Sequence, residues 1–256
     1  MSDTEHEIEK KILVSPAEME AVYNKLSKDA VDGKLKTKHR PRAYYDTKKH
    51  RLQEQKMALR VQYKDGVGYE QTLKYQVAGD DEAVMSRVEV KDVLGEKLQE
   101  PNLALIDDKE AKKRLEGLEG KKLRHIFTAD VHRRYFSVPV VVAGEEVGIV
   151  ELAFDKGAVT HAKDSDRRVK ISEIEVELKS GDPAAVDIMC QKILDMAPGA
   201  ELSAVSKAEF GYGLDDERRA EKQQKKAAKE AAKTAKKQLK DAARETPKRP
   251  NPNPGP

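Results

Sequence analysis

The sequence predicts an α+β domain dominated by an antiparallel β-sheet that is closed or strongly curved, followed by a basic helical tail. Three observations carry this expectation. Short segments of alternating character follow one another through most of the chain, several separated by glycine, Asp-Gly or Gly-Glu. Two segments carry helix-start chemistry. Finally, 37% of the residues are charged and 38% hydrophobic, with no Trp; the usual charged share is about 25%. Such a chain closes only a thin core, and its charges need a location.

The elements follow in order. HEIEKKILV at residues 6–14 alternates charged and apolar side chains, as a strand with one charged face does. Ser15-Pro16-Ala17-Glu18 combines a capping Ser, a first-position Pro and a Glu that closes a capping box, and predicts a helix to about Ala30. The strand candidates are MALRVQY, YEQTLKYQV, SRVEVKDV, HRRYFSVPVVV, EEVGIVELAFD and VKISEIEVELK. Residues 109–122 predict a short surface helix. Asp182-Pro183 starts another helix, with Val186, Met189, Cys190, Ile193 and Leu194 on one side. Cys190 on that side reads as core packing.

The near-balanced net charge of +3 conceals a division. Residues 217–256 carry 13 basic and 5 acidic groups, and the preceding 216 residues carry 36 and 41. The expected boundaries are a body over 1–214 and a tail over 215–256. Residues 217–245 are strong helix formers with a stripe of mostly small residues. Two readings stand for the tail: a solvated helix, or a cationic arm for nucleic acid, another anionic polymer or anionic lipid. The Pro-rich end TPKRPNPNPGP is expected to stay disordered.

Several classes fall away. No apolar run approaches the roughly 18 residues of a membrane span. The N-terminus is charged and has no apolar segment of signal-peptide type, so a cytoplasmic location is the expectation. One cysteine makes neither an internal disulfide nor a Cys-rich zinc site. The six histidines show no HExxH spacing.

Side chains two apart in a strand share a face. Glu7, Glu9 and Lys11 therefore project together, as do Arg87, Glu89 and Lys91, and Glu173, Glu175, Glu177 and Lys179. Glu151 and Asp155 share a further face. In an ordinary sheet these faces are solvated. In a curled sheet they line a lumen, where carboxylates offer hard oxygen ligands to Mg²⁺ or Mn²⁺ and Lys and Arg offer charge-assisted donors to phosphate.

The residues then meet a family. Glu7-Ile8-Glu9-Lys10-Lys11 resembles the ExExK signature of the CYTH proteins, the triphosphate tunnel metalloenzymes. The resemblance continues through Tyr45-Asp46-Thr47, Ala58-Leu59-Arg60, Thr72-Leu73-Lys74, Arg87-Val88-Glu89 and HRRYF. It ends with the Glu151–Gly157 segment, the Glu173–Leu178 segment and Ser206-Lys207 before GYGL, and so covers roughly residues 5–214.

The resemblance implies an eight-stranded antiparallel β-barrel with flanking helices, a tunnel that holds a triphosphate and a divalent metal, Mg²⁺ or Mn²⁺. Lys11, Arg60, Lys74, Arg87, Arg133 and Lys207 would grip phosphates. Glu7, Glu9, Glu89, Glu151, Asp155, Glu173, Glu175 and Glu177 would bind metal or hold those cations, with Glu7, Glu9, Glu175 and Glu177 foremost for metal. Glu9, Lys11 and Glu175 would serve catalysis, Lys11 as a charge partner of Glu9. Gln62 departs from the family pattern, which often has a second basic residue there. A one-residue register slip exchanges Arg133 and Arg134, so that choice stays open.

The implied activity is metal-dependent hydrolysis of a triphosphate, closest to the bacterial inorganic triphosphatases, which convert tripolyphosphate to pyrophosphate and phosphate. The alternatives are a non-catalytic polyphosphate- or nucleotide-binding tunnel, a nucleoside or thiamine triphosphatase, and an adenylate cyclase of the same family. Tyr44, Tyr45 and Tyr135 read as packing residues first and as nucleoside contacts second. No protein partner is implied.

Overall fold

The structure is a computed structural model that describes residues 3–76, 85–118 and 120–245; the side chains of 85–87 and 241–245 lie outside the description. It contains two compact units, Met1–Leu214 and Asp215–Pro256.

The first unit is built on β1 (Asp3–Leu13), β2 (Lys36–His39), β3 (Arg42–Thr47), β4 (Met57–Lys64), β5 (Gly68–Gln76), β6 (Met85–Gly95), β7 (Leu123–Val142), β8 (Glu145–His161), β9 (Asp164–Gly181) and β10 (Glu201–Leu202). Eight of these form an antiparallel ring in the order β1-β6-β5-β4-β3-β7-β8-β9, which returns to β1 through the β1–β9 pairing. β10 adds to β1, and β2 pairs with β7 beyond the stretch that β3 occupies.

The helices of this unit are α1 (Pro16–Leu26), α2 (Arg51–Glu54), α3 (Lys109–Arg114), α4 (Ala184–Met196) and the start of α5 (Lys207–Glu245). α1 begins as its sequence requires. Ser15 Oγ accepts from Glu18 N, and the Glu18 carboxylate accepts from Ser15 N at 3.3 Å. It ends at Leu26 rather than near Ala30, because residues 27–29 tighten into a 3-10 turn after the last buried position of the apolar stripe. The 109–122 segment is also shorter than expected. Among its described residues only Lys109–Arg114 is α-helical, and the segment is not merely a surface one, since Ala111 in the helix and Leu115 and Leu118 after it are buried.

The ring is apolar on its outside. Ile12, Leu152, Phe154, Ile174 and Val176 alternate with charged residues and pack outward on Met19, Val22 and Leu26 of α1 and on Val186, Met189, Cys190 and Ile193 of α4. Leu59, Leu73, Val88 and Val90 pack outward on Leu52, Ile106 and the α3 segment. A third cluster lies on the inner face instead, where Phe127, Val159 and Ile171 share the sides of Arg133, Asp155 and Glu173 and pack on Tyr212 and Leu214 of α5. The strands thus have covered outer faces, and their charged alternates point inward by the two-residue period. Burial pushes the Cys190 thiol up to about 12, which suits a core residue and not a nucleophile.

Asp46 is fully buried and ties the ring to what covers it. Its carboxylate accepts from the backbone N–H groups of Leu52 and Gln53 at 3.0 Å each, capping α2, and from Tyr212 Oη at 3.0 Å on α5.

The second unit is described over 215–245 and is the remainder of α5. Residues 220–240 are all exposed.

Candidate active site

A cavity of about 890 Å³ occupies the interior of the ring, and charged side chains from β1, β4, β5, β6, β7, β8 and β9 line it. Period-two alternation supplies them: Glu5, Glu7, Glu9 and Lys11 from β1, Arg60, Gln62 and Lys64 from β4, Glu70 and Lys74 from β5, Glu89 and Lys91 from β6. Register completes the rows. Glu9 stands opposite Glu177, which stands opposite Glu151 on the next strand, so three carboxylates lie side by side across β1, β9 and β8.

Two charge networks frame the cavity. In the first, Arg133 donates from Nε and Nη2 to the two Asp155 oxygens at 2.6 Å each, and also donates to Glu175. Lys207, at the start of α5, contacts Asp155 at 2.6 Å and Glu175 at 2.8 Å and donates to Glu173. Lys11 sits 3.7 Å from Glu173 and 3.8 Å from Glu175. Asp155 and Glu173 are wholly buried beneath the wall. Burial pushes the Glu175 carboxyl up, but Arg133, Lys207 and Lys11 outweigh it and hold it well below the usual carboxylate range. Glu173 goes the other way: burial, with Glu175 adding, leaves it raised despite Lys207 and Lys11.

The second network joins Glu7 to Lys74 at 3.1 Å and Glu89 to Lys74, to Arg60 at 3.6 Å and to Lys91 at 3.4 Å. Glu5 and Glu89 face each other in register, and Lys91 separates their like charges by binding Glu5 at 2.5 Å. Burial favours a neutral Glu7, and Lys74, Arg60 and Lys91 nonetheless hold its carboxyl low.

Between these networks lies a wall of under-compensated positive charge. Arg42 is buried, and its Nε donates to the neutral Gln62 Oε1 at 3.3 Å; Gln62 donates in turn to Glu70 at 3.0 Å. Lys38 lies 4.6 Å from the centre of the Tyr135 ring. Among the described residues neither Arg42 nor Lys38 has an ion pair. Burial lowers Lys38 to about 8, with Arg133 and Arg42 adding to it, and lowers Arg42 to about 10, with Arg60 and Arg133 adding. Lys74 is lowered too, by burial and by Arg60. Clustered buried cations of this kind are stabilised by a multivalent anion.

The structure brings Glu7, Glu9, Lys11, Arg60, Lys74, Glu89, Arg133, Glu151, Glu175, Glu177 and Lys207 to the lumen. Asp155 and Glu173 lie behind it, where they hold Lys207, Arg133 and Lys11. Arg87 pairs with Glu7 along the backbone, and its side chain lies outside the described residues. Arg133, not Arg134, faces inward; Arg134 donates to Glu20 at 2.7 Å and lies over the Tyr23 ring at 3.9 Å. Tyr44 and Tyr135 line the cavity, while Tyr45 stacks on His125 elsewhere. Sequence reasoning missed Lys38, Arg40, Arg42, Lys64 and Glu70. Glu70 was legible two and four positions before Thr72 and Lys74, and Arg42 two before Tyr44.

A closed ring of antiparallel strands, apolar outside and charged around a central cavity, defines a tunnel protein built to hold a multivalent ion. The chain belongs to the CYTH domain family, whose model matches residues 5–212. Among solved structures it resembles an adenylyl cyclase-like protein from Hippeastrum described as having a dominant triphosphatase activity. That match has 18% identity, 81% of this chain and 96% of that one covered, and a TM-score of 0.51. It also resembles an adenylate cyclase-like protein from Bacillus halodurans (21% identity, 75% and 89% covered, TM-score 0.46) and the Mimivirus capping enzyme triphosphatase (10%, 75% and 89%, 0.43). No curated protein matches the sequence. The Hippeastrum likeness supports the fold. Among the described residues no helix is long and apolar enough to cross a membrane.

Proposed function

We propose that the protein is a divalent-metal-dependent triphosphatase and that its substrate is inorganic tripolyphosphate, cleaved to pyrophosphate and phosphate. The observation that carries this reading is the pairing of opposite chemistries in one lumen. Among the described residues Lys38 and Arg42 have no ion pair, and Arg60 and Lys74 share Glu7 and Glu89 with Lys91, while the Glu9–Glu177–Glu151 row sets three carboxylates side by side. Burial, aided by Glu7 and Glu151, leaves the Glu177 carboxyl raised although Lys179 bonds it at 2.6 Å.

The donors suit a hard cation. They are carboxylates only, and a further set, Glu5, Glu7 and Glu89, brings its oxygens within 4.8 Å of one another. Glu7, Glu9, Glu151, Glu175 and Glu177 are the residues that would hold the ion, with Glu89 beside them. Mg²⁺ or Mn²⁺ bound there supplies Lewis-acid charge at the phosphate oxygens.

The chain's own contribution is positioning and electrostatics. Arg60, Lys74 and Arg42 neutralise phosphate oxygens from one side, and Arg133, Lys11 and Lys207 do so from the floor. A phosphate chain held at both walls lies extended, with its terminal phosphorus open to water. Glu9, buried on the same face of β1 as Lys11, would orient that water. Asp155 and Glu173 fix Arg133 and Lys207, so these cations need not reorganise as charge develops.

The test is phosphate release from tripolyphosphate, ATP and thiamine triphosphate, each with Mg²⁺, Mn²⁺ or EDTA. Metal-dependent release that is fastest from tripolyphosphate is expected. A faster ATP reaction would move the reading to a nucleotide substrate, and no turnover of any of the three would refute it.

A further inference from the structure

The second unit carries a surface that the tunnel chemistry does not use. At 100° per residue, Lys222, Lys226, Lys229, Lys233, Lys237 and Lys240 fall on one side of α5, and Lys225 and Lys236 fall beside them. All eight lie within an arc of about 120° and span about 27 Å, close to one positive charge per 3.5 Å. All are exposed. Among the described residues only Lys226 has an ion pair, a loose one to Glu230 at 3.9 Å.

The opposite side is built from Ala228, Ala231, Ala235 and Leu239. This sorting opposes helix stability. Lys222/Lys226, Lys225/Lys229, Lys229/Lys233, Lys233/Lys237 and Lys236/Lys240 are i,i+4 like-charge pairs, each unfavourable by roughly 0.2–0.5 kcal/mol. A helix selected only for solubility would spread these charges around its circumference. A polyanion laid along the stripe removes the repulsion and releases its own counterions.

Three kinds of polyanion offer that charge, and the stripe favours one. Insertion into a lipid surface wants bulky apolar residues opposite the cations, and here there are alanines and a single Leu239. Single nucleic-acid strands are held by aromatic stacking as well as charge, and residues 215–256 contain no aromatic side chain. A duplex meets cations through its phosphates alone, but as a stiff rod that a straight stripe touches over part of its length, whereas a flexible, base-free linear polyphosphate can follow all of it. We propose that the Lys222–Lys240 face of α5 is a docking surface for linear inorganic polyphosphate, separate from the tunnel.

The test uses the full chain in EDTA, so that binding is read without turnover. Long-chain polyphosphate, single-stranded and duplex DNA of matched charge, and vesicles of equal phosphatidylserine and phosphatidylcholine are titrated across a salt series. Two variants are compared with the parent. One carries Lys225→Gln, Lys229→Gln, Lys233→Gln and Lys236→Gln. The other keeps the net charge but moves two lysines off the stripe, with Lys229→Ala, Ala231→Lys, Lys233→Ala and Ala235→Lys. Circular dichroism checks that helicity is retained.

The expected result is polyphosphate binding weaker by about tenfold or more in the Gln variant, with a log–log salt slope shallower by about 3. The rearranged variant should also bind polyphosphate more weakly, and tripolyphosphate hydrolysis should be unchanged in both. Parental polyphosphate affinity in both variants would overturn the proposal, as would tighter binding of the DNA or the vesicles than of polyphosphate. Hydrolysis is a separate readout, so an inactive tunnel with an intact stripe is distinguishable from the reverse.

Discussion

Arg133 grips Asp155 with a two-pronged pair of hydrogen bonds, 2.6 Å each, across the β7–β8 register, and the carboxylate it grips is wholly buried. The same carboxylate holds Lys207. Asp155→Ala leaves two buried cations short of a partner, and breaking a buried pair in this way costs about 3–5 kcal/mol. A large fall in melting temperature is expected. Arg134→Ala, on the outer face, should lower it little, because its Glu20 pair is exposed and such pairs are worth about 0–1 kcal/mol. Equal melting temperatures for the two variants would contradict this division of inside from outside.

Glu9→Gln is predicted to lose turnover while the protein melts as the parent does. Glu175→Gln should lose both turnover and stability. Glu175 has a carboxyl held low by Arg133, Lys207 and Lys11, so its charge stabilises the fold above the ordinary carboxylate pKa. That contribution disappears as pH falls through the lowered value. Melting curves from neutral to acid pH therefore separate the two variants. The gap between Glu175→Gln and the parent should narrow on the acid side, and a gap independent of pH would argue against the carboxylate's role.

Lys38 gives a pH signature of the opposite sense. Burial, aided by Arg133 and Arg42, lowers its folded pKa from 10.5 to about 8. Its charge therefore works against the fold fully below about 8, and the penalty fades as pH rises toward 10.5. A bound triphosphate restores the proton. Binding between those two pH values should take up protons, and affinity should decline as pH climbs through that window. Calorimetric titration in two buffers of different ionisation enthalpy measures the uptake. Lys38→Met should reduce it, with the lowered Lys74 contributing the remainder. Unaltered uptake in Lys38→Met would assign the signature to other groups.

The GYGL segment yields a packing prediction. A Cβ at Gly211 would meet the Phe127 ring at 2.2–2.4 Å, whereas one at Gly213 meets nothing within 4 Å. Phe127 is fully buried and stacks on Tyr44, which lines the cavity. Gly211→Ala should destabilise by about 1–3 kcal/mol through overpacking. Gly213→Ala should be neutral or stabilise by up to about 1 kcal/mol, from helix propensity. Chemical denaturation of both compares them directly, and equal effects would mean that Phe127 gives way.

Much of the architecture was legible because alternation along a strand is a local property. The charged faces of β1, β6, β8 and β9 could be written down from residue spacing, as could the Ser15 capping box and the lysine stripe of α5. β2 was not legible, because KTKH has no apolar alternate to reveal a strand, and Lys38 went unseen with it. Spacing also could not say which side of each strand is the inside. That was decided when β9 paired with β1 and closed the ring, turning the apolar faces that α1 and α4 cover outward and the charged rows of β1, β6 and β9 toward the lumen, with the Phe127 cluster left on the inner side. The same closure chose Arg133 over Arg134 and buried Asp155 and Glu173 behind the wall. It also set Arg42 beside Gln62, where the family's second basic residue is missing. These are contacts between strands distant in the chain. A period-two pattern defines two faces, and only tertiary pairing determines which of them meets water, helix or substrate.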